Sequence, residues 1–436
     1  MEKQTSSPLI ESLSVQLQQI ILSNIPDVLS LRSAALSCRA LYNALLSAET
    51  IITTRALLNQ VSFDVLPEAY ITQEAIRLER HTEKNVRDFI ARHLHERRPP
   101  PEIWTLCDAV RAAKLHACVN ELALQFIANT AKKPPVCGTR PATRAEISRV
   151  EISRVERAMY RFEILCNLFR EFWDSNLLEQ LWDVFFSNFS PWENEQLACV
   201  QDYLVQAVSP AFNDIAEHDI AWGEFRVEYS DERDSIFIQY LLSLGLETLR
   251  RISMAETYEA RYGLLIDDAV PHSDFTPTDE RTHIRPPFFN DPDTGSPDIW
   301  KWAHQDESWA NFVNQDNRKT LREWGYVMCD RARMDDYGIF QSRWEPPYHN
   351  DAESKAYIKR CAEMQASWEA RSKIFRSGGR GCWSFGDHSK IIWPNRKAPW
   401  KGRFVPAHAI PNSLEETRDA FRLMKLPEPV AGLNEV

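Results

Sequence analysis

Glycine occupies only 13 of 436 positions in this chain. Sandwiches, barrels and nucleotide-binding sheets need glycine at their turns, bulges and phosphate loops. A chain this poor in it is directed towards helices. The apolar pattern agrees, because from about residue 84 to 262 hydrophobic side chains recur at helical spacing. Lys84–Arg97 reads as one helix, stopped by Pro99-Pro100-Pro101, and Ile103–Ala131 as another, stopped by Pro134-Pro135. Lys132–Thr143, rich in Pro, Gly and Thr, reads as an exposed loop. The expected fold class is mainly α.

The most regular segment places Ile152, Val155, Met159, Phe162 and Cys166 at steps of 3, 4, 3 and 4, which is a single helical face. Glu151 and Arg154, three apart, are expected to pair on its flank. The segment carries a tandem pentad, Glu-Ile-Ser-Arg-Val at 146–150 and 151–155, which reads as a small duplication that lengthens a helix. Ser190-Pro191-Trp192-Glu193 has the form of a capping box and predicts a helix running to about Ala216. Ser235–Tyr262 reads as one further helix. Ser413-Leu-Glu-Glu416 opens a last one, stopped at Pro427.

Residues 271–299 change character. Six prolines fall among Asp, Thr and Ser, as expected of a linker or a strapping loop. Nine of the 14 tryptophans lie at 300 or later. Rings that each bury roughly 150–250 Å² can supply a core where regular structure is sparse. The expected organisation is therefore an N-terminal helical unit over 9–60, a helical body over 84–270, the 271–299 strap, and a Trp-rich, irregular region over 300–436 packed on the body.

The net charge is −11, which disfavours general nucleic-acid binding, since phosphate backbones are held mainly by Lys and Arg. No apolar run reaches the roughly 18 residues that span a bilayer. No basic region followed by an apolar core opens the chain, so no secretory signal is expected. Nine cysteines without a C-x-x-C pair suggest reduced thiols, and hence the cytoplasm or nucleus.

Residues 9–60 form three or four short amphipathic helices broken at Pro26. Leu13, Leu17, Ile21-Leu22, Ile25-Pro26, Leu29, Leu31, Cys38 and Tyr42 together resemble the F-box, with Ser14 and Gln16 where the family carries Pro and Glu. Ser14 can still start a helix as a cap. The resemblance covers about 40 residues. It implies docking on a Skp-type adaptor of a cullin-RING ubiquitin ligase through Leu13, Leu17, Ile21, Ile25, Pro26 and Leu29. The competing expectation is that this unit packs on the chain's own helices, so that Leu17 and Ile21 are buried against residues 84–262.

A second candidate is the basic stretch 371–403, with nine basic residues against Asp387. It leaves the rest of the chain at −19. Arg376, Arg380, Lys390, Arg396 and Lys397, beside aromatic rings and the Gly378-Gly379-Arg380-Gly381 run, are candidates for an anion or an acidic partner. The competing expectation is pairing with the protein's own acidic surface. The segments Leu321–Arg333 and Trp383–Asp387 are similar to fungal proteins of unassigned function, which implies no activity. Asp330 and Arg333 are expected to pair on a helix surface.

Enzyme signals are weak. Cys382 and His388 lack a nucleophile signature. His93 and His95, two apart on a helix, point away from each other and suggest a solvated basic face rather than a metal site. No cofactor, metal or catalytic residue is expected. No WD, kelch or leucine-rich repeat is visible after residue 60. The functional expectation is a non-enzymatic substrate receptor that holds an adaptor at its N-terminus and an unknown protein target elsewhere. The alternative is a helical interaction module whose F-box-derived unit no longer binds the adaptor.

Overall fold

The computed structural model describes residues 10–96, 104–130, 147–172, 175–229, 235–265, 295–304, 319–344 and 351–393. The fold is mainly α. Among the described residues the one sheet is a two-stranded antiparallel ribbon in which Arg380 pairs with Ile392 and Gly381 with Ile391. The chain divides into two compact units that do not follow sequence blocks. One comprises 1–169, 179–200 and 278–344, and the other 170–178, 201–277 and 345–436.

In the first unit the N-terminal segment forms four helices, Val15–Ser23, Val28–Ser37, Arg39–Ser47 and Glu49–Gln60. Each start has a local cause. The Ser14 hydroxyl accepts from Leu17 N at 3.5 Å. Asp27, just after Pro26, accepts from Ser30 N at 2.8 Å, and that bond holds its carboxyl below the usual range. Leu22, Val28, Leu31, Ala35, Leu41, Leu45, Ile52 and Leu57 form the shared core. The second and fourth helices also rest on the long helix Leu106–Thr130. That joint is pinned by Leu106 N donating to Glu49 Oε1 at 2.9 Å and Trp104 N donating to Thr54 Oγ1 at 3.1 Å. The segment expected over Lys84–Arg97 is a helix at Glu83–Ile90 followed by one π-turn at Ala91–His95.

The helix Arg149–Phe169 starts at a capping box. Ser148 N donates to Glu151 Oε2 at 2.9 Å, and Glu151 N donates to Ser148 Oγ at 3.1 Å. The duplicated pentad thus supplies both halves of a cap. Val155, Met159, Phe162 and Cys166 are buried as their spacing implies, and the rest of the helix is buried on nearly all sides as well. Three of its buried charged residues, Glu151, Arg154 and Arg161, are matched from other segments rather than solvated. Arg161 reaches Glu68 at 2.8 Å and Glu193 at 2.7 Å. Glu151 pairs with Arg333 at 2.6 Å and Arg154 with Asp330 at 2.8 Å. The expected local pairs, Glu151 with Arg154 and Asp330 with Arg333, are therefore replaced by crossed ones. Buried charge is retained only where an opposite charge meets it, so charge alone does not mark a solvent face.

Ser190 and Glu193 form the expected capping box, with Ser190 N donating to Glu193 Oε2 at 2.9 Å at the head of the helix Pro191–His218. Glu195, also buried, takes Arg322 by two bonds of 2.8 and 3.1 Å. The tryptophans of this unit do fill a core between short elements. Trp302 Nε1 donates to Ser342 O at 2.7 Å, and its ring lies 6.2 Å from that of Trp344. Ser296–Ala303 is helical. The rest of the 271–299 strap lies outside the described residues, as does the last helix expected from Ser413.

The second unit holds the end of Pro191–His218 and the short helix Ile220–Glu224. The helix expected over Ser235–Tyr262 is three, Ile236–Ser243, Leu246–Ser253 and Tyr258–Leu265. The first break falls at Gly245, whose φ of +86° does not belong to a right-handed helix. Trp222 packs on Phe212 at 5.5 Å and Phe237 at 6.4 Å between ring centres. The region expected to be irregular instead contributes a 26-residue helix, Asp351–Arg376, free of Gly and Pro and built largely from good helix formers. It leads into the ribbon, where Ile220, Trp383 and Ile391 share a small core with Ile374 and Phe375.

Candidate functional site

The helix Val15–Ser23 buries Gln18 and Leu22 but not its other apolar residues. Leu17 is 49 % exposed, Ile20 57 % and Ile21 41 %. At spacings of three and four they share one outward stripe. On the next helix Leu29 is 40 % exposed, with Leu36 two turns further on also exposed. Pro26 is exposed, and Leu13 and Ile25 are half-buried. The expected adaptor-binding set thus lies at the surface, and Leu17 and Ile21 are not buried against residues 84–262. Gln16 is exposed as well. Soluble proteins rarely leave contiguous apolar stripes uncovered, and such stripes mark interaction surfaces.

The basic stretch resolves differently. Arg371 is fully buried and donates to the carbonyls of Ala216 and Asp219, each at 2.7 Å. Arg376 pairs with Glu224 at 3.2 Å. Arg380 donates to the Phe375 and Gly379 carbonyls at 3.0 and 2.7 Å and lies 3.7 Å over the Phe375 ring. Arg376 and Arg380, expected as an anion patch, therefore contact the protein itself. Backbone carbonyls and a ring face attract guanidinium as an anion would, and the sequence does not show them nearby. Lys390 is exposed. Arg396 and Lys397 lie outside the described residues.

Sequence reasoning missed a cleft of about 410 Å³ in the second unit. Glu217 and His218 come from the end of Pro191–His218, and Tyr229 from the loop beyond. Arg360, Glu363 and Met364 come from one face of Asp351–Arg376, and Trp383 and Phe385 from the ribbon. Main-chain bonds fix the walls. Trp383 N donates to His218 O at 2.8 Å, and Asp219 and Cys382 form an antiparallel bridge. His218 Nδ1 lies 2.8 Å from Asp214 O, an atom that can only accept, so this nitrogen carries a proton and the ring is held by its own helix. Burial raises the Tyr229 hydroxyl above its ordinary value, with Glu217 and Glu363 adding to the shift. The residues come from positions 213–229, 360–367 and 383–385, and only the i, i+3, i+4 spacing of 360, 363 and 364 was visible in the sequence.

Burial pushes the Cys382 thiol up, the wrong direction for a nucleophile. His93 stacks on Phe89 at 4.6 Å rather than facing solvent alone. Among the described residues, no group of three or more His, Cys, Asp or Glu is placed to hold a metal ion. No helix among them is long and apolar enough to cross a membrane. No protein-family model, curated protein or solved structure matches this chain.

Proposed function

We propose that the chain is a non-enzymatic substrate receptor of a cullin-RING ubiquitin ligase, with its N-terminal helices docking a Skp-type adaptor and other surfaces holding a protein target. The observation that carries this reading is the exposure of Leu17, Ile20 and Ile21 on a helix whose opposite side already packs inward. An apolar stripe on a helix is stable when something covers it. The face turned to the rest of the unit is covered by Arg39–Ser47 and Glu49–Gln60, while the outward stripe is not. With about half of its surface still to be covered, each of these side chains contributes on the order of 1 kcal/mol before ordering costs. A receptor of this kind accelerates transfer by effective concentration, without catalytic groups of its own.

The test is co-purification with the adaptor. Wild type should retain it, and the Leu17→Asp/Ile21→Asp double variant should lose it while keeping its helical circular dichroism. Both positions point outward, so the substitutions spare the core. If wild type never captures the adaptor, the receptor reading falls and the chain is an interaction module with an F-box-derived unit.

A further inference from the structure

We propose that the cleft between the end of Pro191–His218, the helix Asp351–Arg376 and the ribbon binds the arginine side chain of a bound polypeptide. Its polar lining includes the carboxylates of Glu217 and Glu363, the groups with which a guanidinium pairs, beside Arg360 and the hydroxyls of Tyr229, Ser367 and Ser384. The rings of Trp383 and Phe385, 5.7 Å apart, form one wall, with Tyr229 also lining the space. A guanidinium supplies only donors, stacks on ring faces and pairs with carboxylates. The volume suits one side chain with its flanking backbone. Phe385 is 88 % exposed, an unfavourable setting for a phenyl ring unless something is laid against it.

Three neighbouring charges bear on the cleft. Asp214 is already engaged by Arg261 at 2.7 Å. Lys359 lies 3.6 Å from Glu363 in a largely exposed pair, of a kind that contributes little and that a ligand can displace. Arg360 lines the cleft one turn before Glu363 and opposes a second cation, so its removal should strengthen binding. The site lies outside the N-terminal helices, and the inference does not rest on adaptor binding.

The test uses the full-length protein and calorimetric titration with the peptide acetyl-Gly-Ser-Arg-Ser-Gly-amide, against the same peptide with citrulline, a neutral isostere, in place of arginine. The arginine peptide should saturate the protein and bind at least about tenfold more tightly than its citrulline counterpart. Glu217→Gln/Glu363→Gln and, separately, Phe385→Ala should each weaken it about tenfold, and Arg360→Ala should tighten it. All four positions are at the surface, so folding is retained. Equal binding of the citrulline peptide, no binding at millimolar peptide, or indifference to these substitutions would overturn the proposal. Leu17→Asp/Ile21→Asp should leave peptide binding intact, which separates failure here from failure of the receptor reading.

Discussion

Arg333 grips Glu151 across 182 positions of sequence, Nε to Oε1 at 2.6 Å and Nη2 to Oε2 at 2.7 Å. The same carboxylate caps its own helix through Ser148 N and accepts from Asp330 N at 2.8 Å. Asp330 in turn pairs with Arg154, which also donates to the Met328 carbonyl at 2.8 Å. Two helix starts and the turn Tyr326–Met328 are thereby joined by four charges. Removing one partner of a buried pair strands the other, at about 3–5 kcal/mol. Arg333→Met should therefore cost about 3 kcal/mol in urea unfolding of the full chain, and Glu151→Gln a similar amount. The double variant should cost at least about 1 kcal/mol less than their sum. Strict additivity would show that the pair is not coupled.

The same four residues show where the sequence was legible. Helical class followed from scarce glycine and apolar spacing, because both act locally. Capping at Ser190 and the helix start at Ser14 followed for the same reason. Glu151, Arg154, Asp330 and Arg333 were recognisable as partners in ion pairs, but three-residue spacing is the only geometry a sequence displays, and their true partners lie far along the chain. The helix Asp351–Arg376 went unseen because its apolar residues form no single stripe, and the cleft went unseen because three distant segments build it. Leu17 and Ile21 were legible because they lie four apart on one face of a short helix, a spacing that acts locally.

Close approach at Gly223 positions the buried Arg371. A Cβ on Gly223 would stand 2.4 Å from Arg371 Cβ and 2.8 Å from its Nε. The guanidinium meanwhile caps the end of Pro191–His218 through Ala216 O and Asp219 O, where a cation suits the helix dipole. Burial lowers the Arg371 pKa to about 10, which leaves it charged at neutral pH. Gly223→Ala should destabilise the protein by about 2–3 kcal/mol, since neither a backbone nor a Cβ can move aside cheaply. Gly263→Ala is the control, because nothing lies within 4 Å of its added methyl. It should stabilise by about 0.5–1 kcal/mol through helix propensity. Similar urea midpoints for the two variants would refute the close-packing argument.

His116 ties stability to pH. It is buried in the first unit, its Nδ1 3.2 Å from the Tyr160 hydroxyl. Burial first, and then the charge of Arg149, lowers its pKa from 6.5 to about 4. Because the folded value lies below the unfolded one, the unfolded chain binds the proton first as pH falls. The stability tied to this residue is thus complete above pH 6.5 and is lost between 6.5 and about 4. The full loss is of order 3 kcal/mol, from about 1.4 kcal/mol per pH unit. Glu156, buried nearby with Arg149 at 3.6 Å, has its carboxyl raised by burial and runs the other way, losing stability as pH rises from 4.5. The two are separated by comparing wild type with His116→Gln, in which only the imidazole is gone. The stability difference between them should be flat above pH 7 and should shift against wild type by up to about 3 kcal/mol on acidification to pH 4. A difference independent of pH would mean that His116 titrates normally in the folded state.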